Sequence, residues 1–488
     1  MQVTIIGGGS YQWAPTLIVD LLRTESIRPL RLVLEDIDPA SLPTMEAFAR
    51  LAASKLGTEV DVTTTTDQRR SLEGADFVVV TISTGGFDSM SVDLDVPARH
   101  GIAQSVGDTV GPGGINRALR NIPVLVDVGK DMEQICADAW MLNITNPMTC
   151  LTRSVCRETS IKCVGLCHEV GNFCLDLAIA WGLPHENMRP TVTGVNHFPV
   201  VIDLDANGTN GLERLASMPE RLGGWHQIAP AGATSPGVDG KHDANPLEGA
   251  SGSERVEAEP FSELDFARRH YLKLWLFHHF GALPAAGDRH LAEFLPSVLT
   301  ENSGYGRAWG VDLTSIETRK EHQKEYVENV ESMIAGKRDV PTWSSDELVA
   351  PVMDSLVTGT HRELPLNLPN TGQCPDLPAD AVVESICVVD SDGMRGRDTA
   401  RVPAPLAELL RRHVATQELT VEAALSGDPR LVRAAFELDP LAGRGDLRET
   451  QQMIDELLSG TAKWLPRSIA ELFGESDQSA ALAGAPTA

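Results

Sequence analysis

Up to Leu166 the chain alternates short apolar runs with longer stretches whose apolar positions recur every three or four residues. The runs Val3–Ile6, Leu30–Leu34, Phe77–Thr81, Ala139–Asn143 and Lys162–Leu166 are short and nearly continuous, which predicts strands buried on both faces. Between the third and fourth, Ile115, Leu119, Ile122 and Val126 share one face of a helix from about Ile115 to Ile135, and Pro123 is expected to kink it. Strands alternating with helices make a parallel sheet covered on both sides, so residues 1–195 are expected to form a doubly wound α/β domain. Beyond Asn196 the alternation is lost, and residues 196–475 read as a second, mixed α+β domain. Helical spacing returns over Phe261–Phe280, Thr314–Ile334 and Pro403–Leu410. Leu222 to Ala258 is rich in Gly, Pro, Ala and Asp and reads as a surface insertion, and residues 476–488 read as a disordered tail.

Charge narrows the partners. The 488 residues carry 41 Lys and Arg against 68 Asp and Glu, a net charge of −27, which repels phosphate backbones and anionic lipid. Nucleic acid and membrane surfaces are therefore not expected partners. No run approaches the ~18 apolar residues of a membrane helix, and the eight cysteines include no CxxC pair, so a reducing cytoplasm is the expected compartment.

The first strand runs straight into Gly7-Gly8-Gly9-Ser10 before a helix expected near Pro15. Glycines are needed there if a pyrophosphate is to approach the backbone at a helix N-terminus, the arrangement of a Rossmann-type dinucleotide site. Gly7 and Gly9 fit the first two positions of GxGxxG, but the third falls on Gln12, so a ligand-free glycine turn stays open as the alternative. The second strand ends in Glu35-Asp36, and Asp36 is placed to accept from a ribose diol, which favours NAD over NADP. The third strand leads into Thr81-Ile82-Ser83-Thr84-Gly85-Gly86, where Thr84 is a candidate cofactor contact.

Five further polar segments lie where strands end or turns begin: Ser105–Gly114 (SVGDTVGPGG), Asn143–Pro147, Cys167-His168-Glu169-Val170, Gly194–Phe198 and Ala286–His290. With the glycine cluster, and in this order, GDTVGPGG, TNPM, CHEV, NHF and AAGDRHLAEF resemble family 4 of the glycoside hydrolases, the NAD- and metal-dependent glycosidases. The CHEV form is most similar to the α-galacturonidases of that family. The fold so implied is similar to that of the lactate and malate dehydrogenases.

The resemblance implies a reaction in which NAD oxidises the sugar at C3 and a base then removes the acidified C2 proton. The C1 substituent is eliminated, water adds, and the cofactor takes its original form again. A divalent ion bridging the C2 and C3 oxygens stabilises the charge that develops. By motif match Cys167 and His197 are the expected ligands of Mn2+, with Fe2+ or Co2+ as substitutes for a site containing thiolate. Asp288 matches the C2 base, with an N-cap of the segment Arg289–Phe294 as the plainer role. His168 stands where some relatives carry an acid for the leaving group, and Asn146 and Asp108 are expected to bind sugar hydroxyls. A uronide adds a C6 carboxylate, for which Arg289 is the first candidate and Arg117 the second; an Arg289–Glu293 ion pair is the plainer role of Arg289. Asn196 and His290 are expected to orient the ligands. The expected substrate is an α-linked uronic acid glycoside, α-galacturonides first, with α-glucosides, α-galactosides or α-glucuronides as the alternative, and the expected assembly a homodimer or homotetramer. A net hydroxy-acid dehydrogenase, which would accumulate NADH, and a silent NAD-binding sensor, which would tolerate loss of Cys167 and His197, are the readings from other classes.

Overall fold

The structure is a computed structural model that describes residues 1–230 and 261–474. Most of the segment Leu222–Ala258 and all of 476–488 therefore lie outside the described residues.

Six parallel strands, β1 (Gln2–Ile6), β2 (Leu30–Glu35), β3 (Val60–Thr65), β4 (Phe77–Val80), β5 (Trp140–Asn143) and β6 (Lys162–Leu166), lie in the order β3-β2-β1-β4-β5-β6. This is the doubly wound arrangement the alternation predicts, and its sequence reverses at β1. β3 escapes the pattern because it is an edge strand: in VDVTTT only Val62 is buried, so no apolar run announces it.

The helices that cover this sheet begin with α1 (Ala14–Arg23) directly after the glycine turn. α2 (Leu42–Leu56) and α3 (Gly86–Arg99) follow, and α4 (Gly111–Ile135) runs through Pro123 and begins earlier than Ile115, with Pro112 in its first turn. α5 (Met148–Glu158) and α6 (Glu169–Trp181) complete the set.

The sheet then continues through antiparallel strands. β7 (Met188–Val195) and β8 (Phe198–Ala206) form a tight hairpin around Asn196-His197, and β8 extends through the short β9 (Thr209–Asn210) and β10 (Leu283–Pro284). β11 (Arg362–Pro369) pairs with β6 on one side and with β12 (Val382–Asp390) on the other; β12 in turn pairs with β7 and with β13 (Gly393–Gly396). All thirteen strands of the described residues belong to one sheet. On this antiparallel side α7 (Tyr271–Phe280) packs beside β10 and against α8 (Asp288–Glu293), whereas α9 (Ile316–Ile334) packs on α2 and α3, and α10 (Ala404–Ser426) lies along α4 and α5. α10 is far longer than the expected Pro403–Leu410, because Val414, Val421 and Ala424 extend its buried stripe past polar neighbours. One core cluster joins Val3, Ile5, Leu32 and Leu34 to Leu166, Val352, Leu366, Cys387 and Val389, so the parallel and antiparallel parts share their interior. Among the described residues no helix is long and apolar enough to cross a membrane.

Candidate active site

The glycine turn is tight in a way only glycine permits. Gly7 has φ +87°, and a Cβ there would sit 1.9 Å from the Thr81 carbonyl oxygen; a Cβ on Gly9 would come within 2.8 Å of Asp36 Oδ2. The amides of Gly7 and Gly8 both donate to the Glu35 carbonyl, and Gly9 N–H donates to Asp36 Oδ2 at 3.1 Å. Asp36 is thereby drawn from the end of β2 to the turn after β1. Ser10 caps the entry to α1, its Oγ accepting from Trp13 N–H at 3.2 Å. Thr84 is fixed by α4: its N–H donates to Asn121 Oδ1, and its carbonyl accepts from Arg120 Nε. The turn geometry, the β1 crossover and the Asp36 carboxylate fit a dinucleotide.

A second constellation lies at the turns that follow β6, β7 and β10 and precede α4. Asp108, His197 and His290 bring one potential ligand atom each within 4.8 Å of the others. They come from three separate elements: Asp108 from the turn before α4, His197 from the β7–β8 hairpin, His290 from α8. His197 has φ 63°, a left-handed conformation uncommon for a residue with a side chain and one that recurs at functional sites. Its ring lies 3.8 Å from that of His290, centroid to centroid. Burial, with His290 beside it, pushes the His197 imidazole down to about 3 despite Asp108 and Glu169, so it is a neutral donor at physiological pH. Burial would raise Asp108, yet His290, His197 and Arg117 hold it well below the usual carboxylate range.

Cys167 follows β6 and is buried, but it is not one of that trio. Burial, Glu384 and Glu169 push its thiol well up, against a hydrogen bond with the Asn196 side chain. Asn196 Nδ2 also donates to Glu384 Oε2 at 3.3 Å. Without a cation the thiol stays protonated, and a bound divalent ion is what would ionise it.

Asp288 is buried, and its carboxylate does not cap its own helix as the sequence suggested. Oδ2 instead accepts from Leu272 N–H at 2.8 Å, at the start of α7, because α7 and α8 meet at their N-termini. Oδ1 has no hydrogen-bond partner among the described residues and lies 4.0 Å from the buried Lys273 Nζ. Burial raises the Asp288 carboxyl to about 6 against the pull of Lys273 and the α7 amides.

His168 Nδ1 pairs with Glu347 Oε1 at 2.9 Å, and its ring lies 6.2 Å from that of Trp13, which joins this turn to the glycine turn. Arg117 Nε donates to the Asn146 carbonyl at 3.0 Å, and its Nη1 is buried with no hydrogen-bond partner among the described residues. The Arg289 guanidinium donates to the Thr314 hydroxyl. Glu293, offered above as its partner, accepts instead from the Val106 and Gly107 amides at 2.7 Å each and ties the turn carrying Asp108 to α8.

Five residues here carried no expectation. Glu169 stands inside the CHEV motif; it is half-buried, accepts from Gly287 N–H, and is drawn down to about 2, desolvation being outweighed by His290, His168 and His197. Thr109 is likewise inside a recognised motif. Lys273, Glu347 and Glu384 come from distant segments in which no pattern marks them. His290 Nδ1, Asp288 Oδ1, Lys273 Nζ, Arg117 Nη1 and Glu384 Oε1 are all buried without a hydrogen-bond partner among the described residues. Leaving such atoms unmet costs about 1–3 kcal/mol each, so their convergence marks a place shaped for a polar ligand. One carboxylate and two imidazoles, with a thiol in the turn after β6, also suit a divalent first-row ion.

The buried Glu293 yields a test. Burial lifts its carboxyl from 4.5 to about 8. Its contribution to stability is complete below about pH 4.5 and is lost as the pH rises through about 8. Glu293→Gln keeps an acceptor for the two amides and removes the ionisation, so melting temperature should fall less between about pH 5 and pH 9 than in the wild type. Parallel melting curves across that range would count against this role.

The fold and these turns define a glycosidase built on a dinucleotide-binding sheet. Residues 2–180 match the family description "Family 4 glycosyl hydrolase" and residues 192–442 match "Family 4 glycosyl hydrolase C-terminal domain". The chain belongs to family 4 of the glycosyl hydrolases. It is 31% identical to an α-galacturonidase of Thermoanaerobacterium saccharolyticum, over 95% of this chain and 96% of that one. It is 29% identical to an α-galactosidase of Bacillus subtilis, over 95% and 99%. Among solved structures, a 6-phospho-α-glucosidase from gut microorganisms in complex with NAD and Mn2+ aligns with a TM-score of 0.76 at 20% identity, over 95% of this chain and 99% of that one, which bears on the fold.

Proposed function

We propose that the chain is an NAD- and divalent-metal-dependent α-galacturonidase. The observation that carries the chemistry is Asp288: one oxygen is fixed on the α7 amides and the other is buried without a hydrogen bond among the described residues, the disposition of a positioned base. Support for a uronide comes from the CHEV turn, from relatives named α-galacturonidase, and from two guanidinium groups, Arg117 and Arg289, within the same set of turns.

Bound at Gly7–Ser10, Asp36 and Thr84, NAD would supply reversible oxidation at the sugar C3. Held by His197 with Cys167, and by Asp108 and His290 as further donors, a divalent ion would supply electrostatic stabilisation to vicinal sugar oxygens. Asp288 takes the C2 proton, Lys273 compensates its charge, and His168, oriented by Glu347, stands to donate a proton to the departing oxygen. Asn146 binds sugar hydroxyls, as does Asp108 where it does not serve the ion. Arg289 or Arg117 holds the C6 carboxylate in a two-point grip.

The test is a set of aryl α-glycosides, namely galacturonide, glucuronide, galactoside and glucoside, assayed with NAD and Mn2+ under reducing conditions. The galacturonide should be the best substrate, with no net absorbance change at 340 nm; a faster neutral hexoside would overturn the uronide reading. Substrate deuterated at C2 should react more slowly or lose its label to solvent. Full retention without an isotope effect would remove Asp288 as C2 base.

A further inference from the structure

The Thr109 hydroxyl lies between two groups that both require its attention. Its Oγ1 is 2.7 Å from Asp108 Oδ1 and 2.7 Å from His197 Nδ1; Thr109 and His197 are buried and Asp108 is half-buried. A hydroxyl has one proton to give and lone pairs with which to accept. An ionised carboxylate only accepts, so the proton on the Asp108 side must come from Thr109. The Thr109 oxygen is then left as an acceptor toward His197, which requires a hydrogen on Nδ1. A neutral imidazole has one N–H, so its lone pair is on Nε2.

We propose that Thr109 is a positioning residue that fixes His197 in the Nδ1–H tautomer and so presents Nε2 as the nitrogen available to a divalent ion. The proposal rests on the metal reading given above for its purpose, and on hydrogen-bond geometry alone for its mechanism. Asp108 has a part on each side: Oδ1 accepts from the hydroxyl and also lies 3.9 Å from His290 Nδ1. The arrangement is the one by which a second group sets the tautomer and aim of a metal-binding histidine, here with a hydroxyl relaying to a carboxylate. The His197 backbone, held in a left-handed conformation at the hairpin tip, limits the ring's other orientations, and the His290 ring covers its face at 3.8 Å.

Two variants separate this role from a packing role. Thr109→Val keeps the shape and removes the hydroxyl; Thr109→Ser restores the hydroxyl without the methyl. Two measurements are made on the full-length protein. In the first, histidine labelled with 13C and 15N reports the tautomer of metal-free protein by NMR, with His197 assigned by comparison with His197→Gln. The expected result is Nδ1–H in the wild type and in Thr109→Ser, and a mixture or the Nε2–H form in Thr109→Val. A wild-type His197 protonated on Nε2, or a tautomer unchanged in Thr109→Val, overturns the proposal. In the second, Mn2+ is titrated against each protein, followed by the loss of the free-ion electron paramagnetic resonance signal. Thr109→Val should bind about 10- to 100-fold more weakly, and Thr109→Ser within about threefold of wild type. Equal affinities in wild type and Thr109→Val overturn the proposal. Wild-type protein that takes up no Mn2+ overturns the metal reading instead, and the tautomer measurement then still decides the part played by Thr109.

Discussion

Replacing His197 with alanine is expected to lower glycoside turnover by about 10³-fold, some 4 kcal/mol of transition-state stabilisation, while NAD still binds. The two halves of this expectation have separate origins. The imidazole is buried, neutral and within 4.8 Å of potential ligand atoms of Asp108 and His290, so its loss opens the set that would hold the ion. The dinucleotide turn is built from Gly7–Ser10 and Asp36 at the ends of β1 and β2, and His197 has no part in its hydrogen bonds. Steady-state rates with saturating Mn2+, beside fluorescence titration with NAD, measure both. Turnover within tenfold of wild type would remove His197 from the chemistry. Loss of NAD affinity in step with turnover would show that the substitution had spread beyond the metal site.

Asp93→Ala is the substitution expected to cost most in stability, about 3–5 kcal/mol. Asp93 on α3 and Arg120 on α4 form an ion pair whose side chains are both 0% exposed, and Asp93 also accepts from Asn116 Nδ2 at 2.8 Å. Taking away the carboxylate strands a guanidinium in the interior, which costs far more than the intact pair contributes. The consequence reaches the cofactor side, because Arg120 Nε also donates to the Thr84 carbonyl at 3.0 Å. Urea unfolding of the full chain should show the loss of stability, and NAD affinity should fall with it. A midpoint shifted by less than about 1 kcal/mol would mean that the pair is dispensable.

How far the sequence carried the fold depended on burial. Strands covered on both faces, such as Val3–Ile6 and Phe77–Val80, are continuous apolar runs and stand out. β3, exposed at the sheet edge, does not, and neither does the long antiparallel extension. In β11, RELPLNLP, polar residues and two prolines interrupt the run, yet the strand links β6 to β12. The candidate site was legible where chemistry and turn geometry share a motif. Asp108, Cys167, His197, Asp288 and His290 are all in such segments. The residues that surround them come from elsewhere: Lys273 from a helix that reads as plain apolar sequence, Glu384 from the middle of β12, Glu347 from a connection after α9. Only packing brings them near, and nothing in one sequence encodes that pairing locally. The supposed N-cap at Asp288 shows the opposite case. The expected cap of Arg289–Phe294 is not formed, and the amides that its carboxylate serves belong to a neighbouring helix.

β11 has one further consequence. Leu366 and Asn367 bond to β6 on one side while the same strand runs the length of β12 on the other, so the parallel and antiparallel parts of the sheet are not two bodies on a hinge. A rocking motion that widened the crevice would have to tear that ladder and part the interior shared by Leu166 and Leu366. Admission of a glycoside is therefore left to side chains and turns at the rim, and entry and release should be sensitive to substitutions there and indifferent to changes in the connections between the halves.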